Sequence, residues 1–178
     1  SYKTVLLSPD DQRHVATDKM EVVQPFSKQG LFIARDADTG FGIADGDLAW
    51  PVEPQFSDIT PSDNNSALAV AKVADGVVLI RDDGSRIDKT YQSVKALNGQ
   101  FWLAKTADKN TLLDNGGNEI ATLSNDAVAG LAVQGDYLLD NSGKETLALY
   151  VPGKKQPLSL PGGSTPLQAD TGNFLLTT

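Results

Sequence analysis

GFGIADGDLAWPVEPQFSDI, residues 40–59, is the stretch on which the fold turns. Two short apolar runs, FGIA and LAW, flank an Asp-Gly pair, and two prolines and a Phe follow. Neither run is long enough for a helix, and Pro51 and Pro54 would break one. Asp-Gly between apolar runs is a tight-hairpin signal, because glycine accepts the positive φ such a turn needs. The stretch therefore reads as strands joined by turns, and its recurrence would define the architecture.

It does recur. A first strand appears as LFIAR (31–35), LAVAK (68–72), FWLAK (101–105) and GLAVQ (130–134). After an acidic or glycine turn, a second follows as FGIAD (41–45), VVLIRDDG (77–84), TLLDNGG (111–117) and YLLDNSG (137–143). The closing Asp-Asp-Gly and Asp-Asn-x-Gly turns predict positive φ at Gly84 and Gly117. A third strand is expected to begin near Leu48, Arg86, Glu119 and Glu145. The last copy runs through TLALYV (146–151) into PGKKQPLSLPGGSTP (152–166), which reads as strand fragments and turns. A period of roughly thirty to forty residues is the signature of stacked or radial repeats.

The two ends of the chain resemble halves of one copy. GNFLLTT (172–178) aligns with GQFWLAKT (99–106), and TVLLSPDDQR (4–13) resembles VVLIRDDGSR (77–86). The expected fold is all-β: three-to-four-stranded antiparallel meanders in a small five-bladed β-propeller, closed by pairing of 174–178 with 3–8. Closure would remove exposed sheet edges. Its units would be 174–178 with 1–29, then 30–66, 67–99, 100–128 and 129–171, in one domain. An open β-solenoid of hairpins is the alternative.

Composition agrees and narrows the partners. The chain of 178 residues is 40% hydrophobic, enough for one full core. Its net charge is -8 and its pI about 4.5, so a nucleic acid would be repelled. Among 23 acids, 19 are Asp and 4 are Glu, which favours turns over helices, and no convincing helix is read. Cysteine is absent, excluding disulfides and thiolate chemistry. The longest uncharged stretch, 156–169, holds three prolines and a Gly-Gly pair, so no membrane span is expected. The opening residues, SYKTVLLSPDD, lack the basic and apolar pattern of a secretory leader.

The order of Gly40, Phe41, Gly42, Ile43, Asp45, Gly46, Pro51, Pro54 and Phe56 resembles the bacterial WG repeat, with Phe41 in place of the eponymous Trp. The second copy keeps Asp82, Gly84, Ile87 and Tyr91, while the third and fourth keep the Asp, Gly and strand pattern; together they cover residues 30 to 150. The resemblance implies a binding or scaffold module of the bacterial envelope or cytoplasm. The periplasm or cell envelope is the favoured compartment.

No residue pattern marks a reaction. His14 is the single histidine, which excludes multi-histidine zinc sites, and no GxSxG context marks a serine for it. It reads as a solvated or packing side chain. Asp36, Asp38, Asp45 and Asp47 could offer oxygen ligands to calcium, with Asp36 and Asp47 at the first and twelfth places of a loop. However, Gly40 and Phe41 stand where a ligand and a glycine belong, so turn aspartates are the favoured reading and no metal or cofactor is expected. Trp50, Tyr91 and Trp102 are the candidate binding aromatics, with core packing as the commoner role for such residues. The expected function is a non-catalytic module that binds another protein, inhibitory or immunity-type inhibition included. The alternative is a small-propeller carbohydrate-active hydrolase or glycan-binding protein, which would need a deep pocket with convergent carboxylates.

Overall fold

Short apolar runs, none long enough to repeat a helical face, extend and pair with the next run along the chain. The result is a series of antiparallel sheets, described in a computed structural model for residues 5–7, 13–15, 18–27, 29–61, 67–170 and 173–177. Strands β1 (Val5–Leu7) and β2 (Arg13–Val15) form a two-stranded sheet. The next sheet has the order β3 (Met20–Pro25), β4 (Phe32–Asp36), β5 (Gly40–Ala44), β6 (Val52–Phe56). It is followed by β7 (Asp58–Pro61), β8 (Leu68–Val73) and β9 (Gly76–Arg81). A four-stranded sheet comprises β10 (Ser93–Ala96), β11 (Phe101–Lys105), β12 (Asn110–Asp114) and β13 (Glu119–Leu123). After a short helix, α1 (Asn125–Ala129), comes the sheet β14 (Leu131–Gln134), β15 (Tyr137–Asp140), β16 (Thr146–Tyr150), β17 (Leu158–Pro161). Strands β18 (Thr165–Asp170) and β19 (Asn173–Thr177) pair as a final two-stranded sheet. The all-β expectation holds.

The chain divides into two compact units, Ser1–Val94 with Asn115–Gly117, and Lys95–Asp114 with Asn118–Thr178. In the first unit, Ile33, Ile43 and Phe56 pack with Ile59, Ala69, Ala71, Val78 and Ile80, so two successive sheets share one core. The opposite face of the β3–β6 sheet covers Met20, Ala34 and Ala44 with Val22, Leu48 and Trp50. In the second unit, Phe101, Leu112 and Leu123 pack with Ala127, Leu138 and Tyr150, again joining successive sheets. Tyr137, Leu139, Leu147, Leu149 and Leu160 fill the far side of the last four-stranded sheet. The second strand of every copy is apolar in an unbroken run because both of its faces are covered: Ile43–Ala44, Val78–Ile80, Leu112–Leu113 and Tyr137–Leu139 are all buried.

Three details differ from the sequence reading. First, an extra strand precedes the expected first strand in three sheets, namely β3, β7 and β10, so residues 30, 67 and 100 lie between paired strands. Second, the third strand does not start at Leu48. The Asp45 carboxylate accepts the Asp47 and Ala49 amides at 2.9 and 3.0 Å, holding Leu48 in a turn at φ 60°, and β6 begins at Val52. Near Arg86 the third strand is reduced to two isolated bridges, Val77 with Tyr91 and Ile80 with Arg86. Third, α1 exists. The Ser124 hydroxyl accepts the Ala127 amide at 3.1 Å, Asp126 lies in the first turn, and Gly130 closes the end by donating to the Asp126 and Ala127 carbonyls. Its five residues are too few to show a helical period.

Among the described residues, no helix is long and apolar enough to cross a membrane. Residues 3, 4, 8 and 178 of the expected terminal pairing lie outside the described residues.

Candidate functional site

Hairpin ends are where side chains of different strands meet, and aspartates and asparagines fix them. Asp36 accepts the Asp38 and Thr39 amides, Asp83 the Ser85 amide, and Asp140 the Ser142 amide, at 2.8 to 3.2 Å. Asn98 Oδ1 accepts the Gln100 and Phe101 amides, both at 2.9 Å, and its Nδ2 donates to the Gly135 carbonyl at 3.1 Å. A carboxylate one methylene from the backbone reaches amides two residues on, which is why the acids here are aspartates. Donation of the Asp38 amide holds the Asp36 carboxyl below its usual value, and the Ser85 hydroxyl and amide do the same for Asp83.

Two such ends in the second unit line one cleft. From the β12–β13 hairpin come Asp114, Asn118, Glu119 and Ile120; from the β16–β17 hairpin come Gly153, Lys154, Lys155 and Gln156. The cleft has a volume of about 540 Å³. One wall is rigid because Asp114 uses both oxygens on Asn118, accepting its backbone amide at 2.9 Å and its side-chain amide at 3.0 Å. The other is set by a Pro152-Gly153 turn, with Gly153 at φ 78° and the Lys154 amide donating to the Val151 carbonyl at 3.1 Å. Ile120 is half-buried and packs on the core of its unit. Carboxylates and ammonium groups thus face one space from separate hairpins.

The residues singled out from sequence are dispersed. Tyr91 and Trp102 are 1% and 3% exposed and present no ring face to solvent, which corrects their candidacy as binding aromatics: each fills core. Trp50 is half-buried beside Met20, Ala34 and Ala44. Asp36 and Asp38 stand at one end of β5, Asp45 and Asp47 at the other; the Asp36 and Asp45 carboxylates accept backbone amides, that of Asp47 among them, and Asp38 accepts the Lys19 ammonium at 3.2 Å. Among the described residues, no group of three or more acidic or histidine side chains is placed to hold a metal ion. His14 lies in β2, opposite Leu6. The cleft residues carried no sequence signal, since 114–120 and 153–156 form no motif together.

No protein-family model and no curated protein matches the chain. Among solved structures it is similar to the N-terminal domain of Nup159, at 10% identity and a TM-score of 0.31, over 84% of this chain and 53% of that one. The chain thus spans about half the length of that structure.

Proposed function

We propose that this chain is a WG-type repeat protein, folded as a five-bladed β-propeller, that acts as a non-catalytic module binding another protein in the bacterial envelope. The observation that carries the non-catalytic reading is the use of its carboxylates. Asp36, Asp45, Asp83, Asp114 and Asp140 all accept backbone amides in turns, so the acids build loops. Rigid loops on a repeated scaffold are what a binding surface needs, because little ordering entropy is lost on association.

The five-bladed arrangement is supported by strand arithmetic. Four successive sheets occupy the middle of the chain, and the two-stranded sheets at its ends supply the four strands of one more. In the ring, β19 would pair with β1.

The hydrolase alternative would take Asp114 and Glu119 as its carboxylate pair, but Asn118 engages both oxygens of Asp114. The test is capture by the immobilised full chain from a bacterial envelope extract, followed by reconstitution of the purified pair and light scattering. A defined stoichiometric complex is expected. Turnover of a glycan panel, lost in Asp114→Asn or Glu119→Gln, would replace the binding reading with the enzymatic one.

A further inference from the structure

We propose that the cleft between the β12–β13 and β16–β17 hairpins binds a short zwitterionic peptide segment, one carrying both a carboxylate and an ammonium or guanidinium group. The proposal rests on the binding-module reading and names where and what that module binds.

Size comes first: about 540 Å³ lies within the range of roughly 300–1,000 Å³ typical of small-ligand sites. Charge gives the class. Asp114 and Glu119 project from one hairpin, Lys154 and Lys155 from the other. Neither lysine makes an ion pair or side-chain hydrogen bond among the described residues, so both ammonium groups are available to a ligand carboxylate. A purely anionic ligand would meet the adjacent carboxylates and a chain of net charge -8; a purely cationic one would meet the lysines. A ligand with both charges satisfies both walls.

The remaining lining fits a peptide backbone. Gln156 presents an amide that can both donate and accept, the Asn118 side-chain oxygen is an acceptor on the other hairpin, and the half-buried Ile120 offers an apolar contact for the stem of a long side chain. Both walls are preset, by the Asp114–Asn118 engagement and by the Pro-Gly turn, so binding requires no loop to order.

The experiment is an NMR titration of the labelled full chain with the tripeptide Lys-Gly-Glu, its termini blocked, and with Glu-Gly-Glu and Lys-Gly-Lys as controls. Shifts are expected at Asn118, Glu119, Gly153, Lys154 and Lys155, with Lys-Gly-Glu binding about tenfold more tightly than either control. Lys154→Glu with Lys155→Glu should weaken it by about tenfold or more, and added salt should do likewise. Because these lysines are exposed, the variant's spectrum elsewhere should be unchanged. Absence of shifts, equal binding of a control peptide, or charge-reversed protein that binds as well as the original would each overturn the proposal. If the charge-reversed chain still captures its protein partner, the cleft proposal fails while the module reading stands. Peptide binding at the cleft without any protein partner would fail the module reading instead.

Discussion

At the scale of single residues, the imbalance of Asp over Glu is explained by where the aspartates sit: they anchor turns through their own downstream amides. Two consequences are measurable. Asp36 and Asp83 have carboxyl pKa values lowered from 3.8, chiefly by the Asp38 amide and the Ser85 hydroxyl respectively. A depressed folded-state value means that the stabilisation is complete above the unfolded value and is lost as pH falls through the folded one. Thermal stability should therefore decline below about pH 4, and Asp36→Asn with Asp83→Asn should flatten that decline by lowering the melting temperature at neutral pH while leaving its value at low pH less affected. The second consequence concerns Gly84, at φ 85°. A Cβ there would sit 3.5 Å from Leu31 Cδ1 and 3.7 Å from Pro51 Cβ, ordinary contact distances, so backbone strain is isolated as the cost. Gly84→Val should destabilise by about 1 kcal/mol or more in a denaturant titration, lowering the melting temperature by about 2–4 °C.

At the scale of elements, the repeat shows itself in a recurring irregularity. Phe41 faces Phe56 while Ile43 faces Val52, so the third strand carries extra residues against the second. The same excess lies between Val77–Tyr91 and Ile80–Arg86, shrinks to a single-residue shift at Leu112/Leu113, and is absent from the described β15–β16 register. Each of the first two copies places a glycine against the carbonyl of its aromatic, Gly40 on Phe56 and Gly76 on Tyr91. In the third copy Asn110 takes that place, its Nδ2 donating to the Leu123 carbonyl at 3.4 Å and to Asn125 Oδ1 at 2.8 Å. A cation also lies over each aromatic ring, Arg86 over Phe56 and Lys89 over Tyr91, at 5.5 and 5.4 Å. Gly76→Ala would drive a methyl into the Tyr91 carbonyl at φ 150°, and about 2 kcal/mol or more of stability should be lost on chemical denaturation. The elements legible in sequence were those with continuous apolar runs, such as 68–73, 101–105 and 137–140, because burial on both faces demands such runs. Strands β3, β7 and β10 were illegible for the converse reason. Their residues MEVVQP, DITP and SVKA are mostly exposed or half-exposed, and pairing with the neighbouring strand, rather than their own pattern, extends them. The cleft was illegible because its two walls are separated by more than thirty residues of chain.

At the scale of the whole molecule, the proposed ring makes its sharpest demand on the last strand. β19 pairs with β18 along Thr165–Thr177 to Asp170–Asn173. Leu176 is 46% exposed, so the worth of this strand lies in its backbone pairing more than in that side chain. Deleting residues 172–178 would leave β18 as an open edge with Leu167 exposed beside it, a template for edge-to-edge association. The truncated chain should melt at least about 5 °C lower and self-associate in light scattering. A monomer of undiminished thermal stability would exclude the ring.

Burial of β5, β9, β12 and β15 on both faces has one further consequence, and it concerns time. Amides in such strands exchange with deuterated solvent only when their surroundings open, so each of these four strands is a slow clock set inside its own sheet. If the repeats share one cooperative transition, the four clocks run at one rate under native conditions. If each repeat opens against its neighbours independently, they separate, and the copy with the least regular third strand, around Val78–Ile80, runs fastest.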